Sequence, residues 1–347
     1  MRHVAKSIIN WEWLILLFLM PLLLFPTDWR GLLLLVIPLL WLIRKVATGH
    51  FVPPTPLDIA LFMMLIALLL SLAAVFDMQS SFPKIAGLII GIAFYYGSVQ
   101  YTRTYANGEY HLLGLILISG TGMIVLASLS NILAQAFHML NPLFARLPLS
   151  LFTFFDGSAT EVNFNEVAGV IGWYLPLLIV TVVGFWREMW QSKRWSLRLM
   201  QIILIFMLLL STILLIATQS RGGILSVGLA ILLVFAVLYK LGRWFLLVLG
   251  IATASLSFYL DLGALLVGNM QATDFGFEGR LEIWSRALYG LADFPLTGMG
   301  LNGFRQVVHV LYPLFTISPD FDLGHAHNHL LQAGLDLGIL GLVAYLT

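Results

Sequence analysis

Apolar runs long enough to cross a bilayer recur along nearly the whole of this 347-residue chain. A helix of about 20 apolar residues spans ~30 Å of hydrocarbon, and a helix satisfies its own backbone hydrogen bonds there. Such runs fall at approximately 11–26, 31–47, 57–76, 83–101, 111–136, 162–186, 199–217, 222–240, 243–262 and 327–347. With 60% hydrophobic and 10% charged residues, against about 25% charged in soluble domains, the chain reads as an all-α, polytopic membrane helix bundle of about ten transmembrane helices. The basic, then apolar, N-terminus lacks a small-residue cleavage pattern and reads as the first span, not as a cleaved signal. The absence of cysteine excludes thiolate metal sites and disulfides. A net charge of +1 gives no reason to expect nucleic acid.

Charge position sets the orientation. With the N-terminus inside, eleven Lys and Arg lie on the inner side and seven on the outer, and the short basic loops RKVATGH, WREMWQSKRWSLR and YKLGR all fall inside. The N-terminus is therefore expected in the cytoplasm. Residues 1–262 read as a transmembrane bundle of about nine spans with an outer loop near 137–161. Residues 263–326 read as a large periplasmic or extracellular loop, and 327–347 as the last span. In the large loop Leu281, Trp284, Leu288 and Leu291 share one helical face, with Arg280, Glu282 and Arg286 toward the other. This predicts an amphipathic helix on the membrane or capping the bundle. Pro295, Gly298 and Gly300 end it in a turn, and a second short helix is expected near Phe304 to Tyr312.

Few groups can do chemistry. Arg221, in the hairpin ATQSRGGILSVG, lies at the outer boundary, where an arginine must face protein, water or a ligand. From position alone a headgroup anchor explains it as well as a binding role. The two glycines after it favour close approach by a helix or a substrate. Arg280, at the start of the loop helix, offers a planar fork suited to phosphate oxygens, whereas Arg286 reads as part of a solvated face. His325, His327 and His329 alternate in HAHNH, a spacing that a strand but not a helix would gather on one face. No acidic partner stands at a zinc-ligand spacing, so no metal is expected, and His327 is left as either a cap or a base. Topology alone expects Arg221, Arg280 and His327 on the same side of the bilayer.

These residues resemble a known family. SRGGIL supplies Arg221 and, after three residues, Leu225. His327 and Asn328 are followed by nine residues, Gly338, two residues and Gly341. Together with GRLEIWSRAL, FPLTGMGLNGF and NFNEVAG (Asn163 to Gly169), this is similar to the O-antigen ligase and polymerase superfamily, over roughly residues 160–341.

The resemblance implies a metal-independent glycosyltransferase without a cofactor, in the bacterial inner membrane and acting on its outer face. It would move a glycan from undecaprenyl diphosphate to a lipid or glycan acceptor, as in lipopolysaccharide and polysaccharide biosynthesis, or in some members to a protein. Arg221 and Arg280 would bind the diphosphate and His327 would activate the acceptor hydroxyl. Asn328, Trp284 and Asn165 would contact substrate, and membrane lipids would surround the bundle. Related proteins continue through more helices, so the chain is expected to lack a C-terminal part. Polymerisation is the alternative within the superfamily. Transport is the alternative outside it, because some relatives carry a bicarbonate-transporter label and Asp336 lies at membrane depth. Against transport, almost no other span centre carries a charge, and a hydrogen bond to a neighbouring helix is the expected role of Asp336.

Overall fold

The computed structural model describes residues 2–24, 30–128, 164–259 and 276–347. The loop expected near 137–161 and the first part of the large loop, 263–275, lie outside the described residues. Every described regular element is a helix. They are α1 (Arg2–Asn10), α2 (Glu12–Leu24), α3 (Val36–Thr48), α4 (Asp58–Ser71), α5 (Met78–Thr104), α6 (Gly108–Ser128) and α7 (Phe164–Gly184). After these come α8 (Trp186–Gln191), α9 (Trp195–Ala217), α10 (Arg221–Leu238), α11 (Lys240–Tyr259), α12 (Gly276–Asp293), α13 (Gly303–Leu311) and α14 (His329–Leu346).

The all-helical membrane class stands. Six described helices are long and apolar enough to cross a membrane, or seven if the bent pair Arg2–Asn10 and Glu12–Met20 counts as one span. This is fewer than the expected ten. Asp58–Ala74 and Gly222–Leu238 are apolar but shorter. The chain divides into two compact units, Met1–Gly108 with Asp261–Thr347, and Glu109–Leu260.

In the first unit α2, α3 and α5 close over Leu16, Leu23, Ile37, Leu40, Ala86 and Ile90. Gly97 of α5 lets α2 approach, since a methyl there would come within 3.2 Å of Leu16. Glu12 and Arg44 form a fully buried ion pair, and Arg44 Nη1 also donates to the Phe51 carbonyl at 2.9 Å. Burying both charges is tolerable because they are paired and further hydrogen-bonded.

Helix α14 packs along α4 and is broken at Gly338, whose φ of 69° and ψ of −174° are not helical. The turn after α12 is clipped into that break: Met299 N–H donates to Leu335 O at 2.7 Å and Ile339 N–H to Pro295 O at 2.8 Å. A Cβ at Gly338 would collide with the Pro295 and Leu296 carbonyls, and one at Gly298 with the Leu335 carbonyl. Both glycines also have positive φ, so backbone-to-backbone approach and left-handed geometry require them together.

The described part of the large loop, 276–326, is a folded cap. Ile283, Ala287, Phe304, Val308, Leu323 and Ala326 form its core with Leu335 of α14. The face of α12 that packs on the cap's core is not the leucine face. Ile283 and Ala287 are buried, whereas Leu281 and Leu288 are 47% and 55% exposed. The burial follows the small residues that allow close packing.

In the second unit α7, α9 and α10 pack around Ile171, Leu178, Met207, Leu214 and Val227. Gly223 of α10 is approached by Ala168 of α7, with no room for a methyl between them.

Candidate functional site

The site residues expected from sequence divide between the two units. Arg280, Trp284, His327 and Asn328 belong to the first; Asn165 and Arg221 belong to the second.

His327 is not the first residue of the last helix. Asn328 is the N-cap: it is extended, and its Oδ1 accepts from Leu330 N–H at 3.0 Å and Leu331 N–H at 3.2 Å. This is the usual work of asparagine at that position. His327 precedes the cap, is exposed, and adopts φ of 49°, the left-handed region that few non-glycine residues enter. HAHN is thus neither strand nor helix, and His329 opens α14. The His325 and His327 rings meet edge to face with centroids 4.3 Å apart. Among the described residues no three His, Asp or Glu side chains are grouped as a metal site needs.

The unusual backbone is held from both sides. Ala326, fully buried, donates its N–H to Gln332 Oε1 at 2.9 Å and accepts from Trp284 Nε1 at 3.1 Å on its carbonyl. Gln332 Nε2 in turn donates to Asp336 Oδ1 at 2.9 Å. That carboxylate also accepts from Asn302 N–H at 3.1 Å and faces Lys84 Nζ at 3.5 Å, while Ser71 Oγ donates to the Asp336 carbonyl at 2.6 Å. Asp336 therefore ties α4, α5, the turn before α13 and α14 together. The expected hydrogen bond to a neighbouring helix is present, with an ion pair added.

Arg280 stands on α12 four residues before Trp284, one turn away on the same face and not, as expected, toward the opposite one. It is partly buried and has no ion-pair partner among the described residues. Trp284 spends its indole N–H on Ala326, so any contact with substrate is through its ring. Arg286 departs from expectation, because it is not solvated. Its Nε donates to Pro313 O at 2.9 Å, Nη2 lies 3.4 Å from Glu282, and the guanidinium lies 5.5 Å from the Phe315 ring centre. Glu282 accepts from the amides of Phe315 and Thr316 at 2.7 and 2.9 Å and from the Thr316 hydroxyl. Burial pushes the Glu282 carboxyl up, but these donors and Arg286 hold it below its ordinary range. These two residues are the latch of the cap.

In the second unit Gln219, with φ of 52°, turns the chain between α9 and α10. Ser220 caps α10 by accepting from Gly223 N–H at 3.3 Å and donates to Asn165 Oδ1 at 2.9 Å. Arg221 is the first residue of α10. Asn165 in NFNEVAG and the arginine turn in SRGGIL are thus joined at one end of the unit. Gly223 meets α7, and open space surrounds Gly222.

Residues 206–346 match the family model described as O-Antigen ligase. That part of the chain belongs to the O-antigen ligase family. The match begins within α9 and ends in α14, taking in Arg221, Arg280 and His327. No curated protein and no solved structure matches the chain. The O-antigen ligase match over residues 206–346 and the apolar helices together support a multi-pass membrane protein. Sequence reasoning missed Gln332 and Lys84. Gln332 could have been read from its position one turn before Asp336, but Lys84 is far from it in sequence and carried no signal.

Proposed function

We propose that this protein transfers a glycan from undecaprenyl diphosphate to an acceptor hydroxyl on the outer face of the bacterial inner membrane. One observation carries the reading. Exposed His327 is held in left-handed backbone by Ala326, whose N–H and C=O are both bonded, with Arg280 one helical turn from the tryptophan that makes one of those bonds. Backbone held out of its preferred region is characteristic of active sites.

The chemistry follows from those groups. A neutral imidazole nitrogen of His327 takes the acceptor's hydroxyl proton, the usual work of a histidine base. The acceptor oxygen attacks the anomeric carbon as the bond from that carbon to the diphosphate oxygen breaks. Configuration inverts, and undecaprenyl diphosphate leaves with the negative charge. A preorganised guanidinium aimed at that charge is worth several kcal/mol, and Arg280 has no ion-pair partner among the described residues. The family resemblance assigns Arg221 to the same diphosphate, and Asn165, Trp284 and Asn328 to substrate. The mechanism asks for no metal.

The test is transfer by the purified protein in liposomes from an undecaprenyl-diphosphate glycan. A glycosylated acceptor with inverted anomeric configuration is expected. No transfer to lipid A core or to a second glycan would end the reading. Which of these acceptors is used separates ligation from polymerisation.

A further inference from the structure

The second unit contains a site that the proposed transfer does not use. A groove of about 530 Å³ runs between α6, the end of α7 and the start of α9. One wall is a stripe of α6 in which Leu113, Gly114, Leu117 and Ile118 recur at helical spacing. Met200 and Leu204 of α9 form the opposite wall. An apolar stripe of this kind normally packs on another helix; here it lines the groove. Water has few polar partners in such a space. All three helices are long and apolar enough to span a bilayer. The filler that fits is an acyl chain lying along α6.

The mouth says what the chain is attached to. Tyr110, Phe185, Glu188 and Leu197 line that end of the groove, where α6 starts, α7 ends and α9 starts. The connecting segment WREMWQSKRWSLR carries Arg187, Lys193, Arg194 and Arg198 against Glu188 alone. Trp186, Trp190 and Trp195 are 47%, 41% and 73% exposed. Exposed tryptophans beside a basic segment mark the level of lipid headgroups. Lys193 and Arg194 are exposed and have no ion-pair partner among the described residues. Anionic headgroups are attracted to cations so placed.

We infer that this groove is a binding site for one anionic glycerophospholipid, with an acyl chain along α6 and its phosphodiester against Lys193 and Arg194. None of these residues belongs to the proposed transfer machinery, so the site stands or falls separately.

The test is native mass spectrometry of the purified full chain, titrated in detergent with phosphatidylglycerol or phosphatidylcholine. The wild type should retain one phosphatidylglycerol with a roughly thirtyfold preference, at about 1 kcal/mol for each of two interfacial cations. Lys193→Gln with Arg194→Gln alters only exposed side chains and should abolish the preference while leaving weak binding of both lipids. Gly114→Phe should abolish retention of both, because nothing lies within 4 Å of a Cβ there and the ring enters the groove. Its circular dichroism and melting temperature should match the wild type. Equal retention of both lipids by the wild type would make the basic segment a topology signal only and overturn the proposal. So would a folded Gly114→Phe protein that still holds phosphatidylglycerol.

Discussion

At the scale of single residues, His327 and Arg280 make different kinds of contribution, and their variants should fail differently. His327→Ala should lower turnover about 10²–10⁴-fold, the usual worth of a general base, with the donor KM little changed. Normal turnover would return His327 to a merely structural place in the turn. Prolonged EDTA treatment should leave transfer intact; loss that zinc restores would make the histidines ligands. Arg280→Lys keeps the charge but loses the planar fork, so much of the activity should go. Arg286→Ala removes bonds to Pro313 and Glu282. It should cost roughly 1–3 kcal/mol of stability, read as a lower melting temperature of the cap. Were both arginine variants to lose activity alike with unchanged melting, Arg280 would have no special place at the diphosphate.

At the scale of elements, the cap is coupled to α14 through few bonds, and these explain what the sequence could and could not disclose. The helices were legible because long apolar runs have one stable form in lipid. Asn328 and the glycines at 338 and 341 were legible only as a family spacing. The break at Gly338 depends on the turn at 294–300, which nothing nearby in sequence specifies. The buried face of α12 was not legible because leucines outweigh Gly279, Ile283 and Ala287 in any apolar pattern. Trp284→Phe tests the coupling: it keeps the ring, removes the bond to Ala326 and should lower kcat more than it changes KM. Acid tests the latch. Glu282 has a folded pKa below its unfolded value near ~4.3. Its contribution is present above that value and lost as pH falls through the folded one. Asp322, held down chiefly by its hydrogen bonds with Arg305, titrates in the same direction. Hydrogen-exchange protection over residues 312–328 should therefore fall in acid, and Glu282→Gln should remove part of that step. An identical acid step in the variant would place the latch elsewhere.

At the scale of the whole molecule, the two ends of the first unit differ in charge, and this bears on which face of the membrane carries the chemistry. Arg2 Nε reaches the Ala47 carbonyl at 3.5 Å, Arg44 that of Phe51 at 2.9 Å and Arg103 that of Pro54 at 2.6 Å. These contacts gather the cations of α1, α3 and α5 around one connection, residues 47–54. The other end holds the cap, where Arg286 and Arg305 are paired with Glu282 and Asp322. Short loops rich in Lys and Arg stay in the cytoplasm during insertion, whereas charges in long loops contribute little to orientation. The connection should therefore be inside and His327 outside. The chain has no cysteine, so single introduced thiols report cleanly. Ser318→Cys, exposed in the cap, should react in intact cells with a maleimide that cannot cross the membrane. His50→Cys, exposed at the opposite end, should react only after the membrane is opened. The reverse pattern would put His327 in the cytoplasm and rule out transfer on the outer face, whatever activity the purified protein displayed.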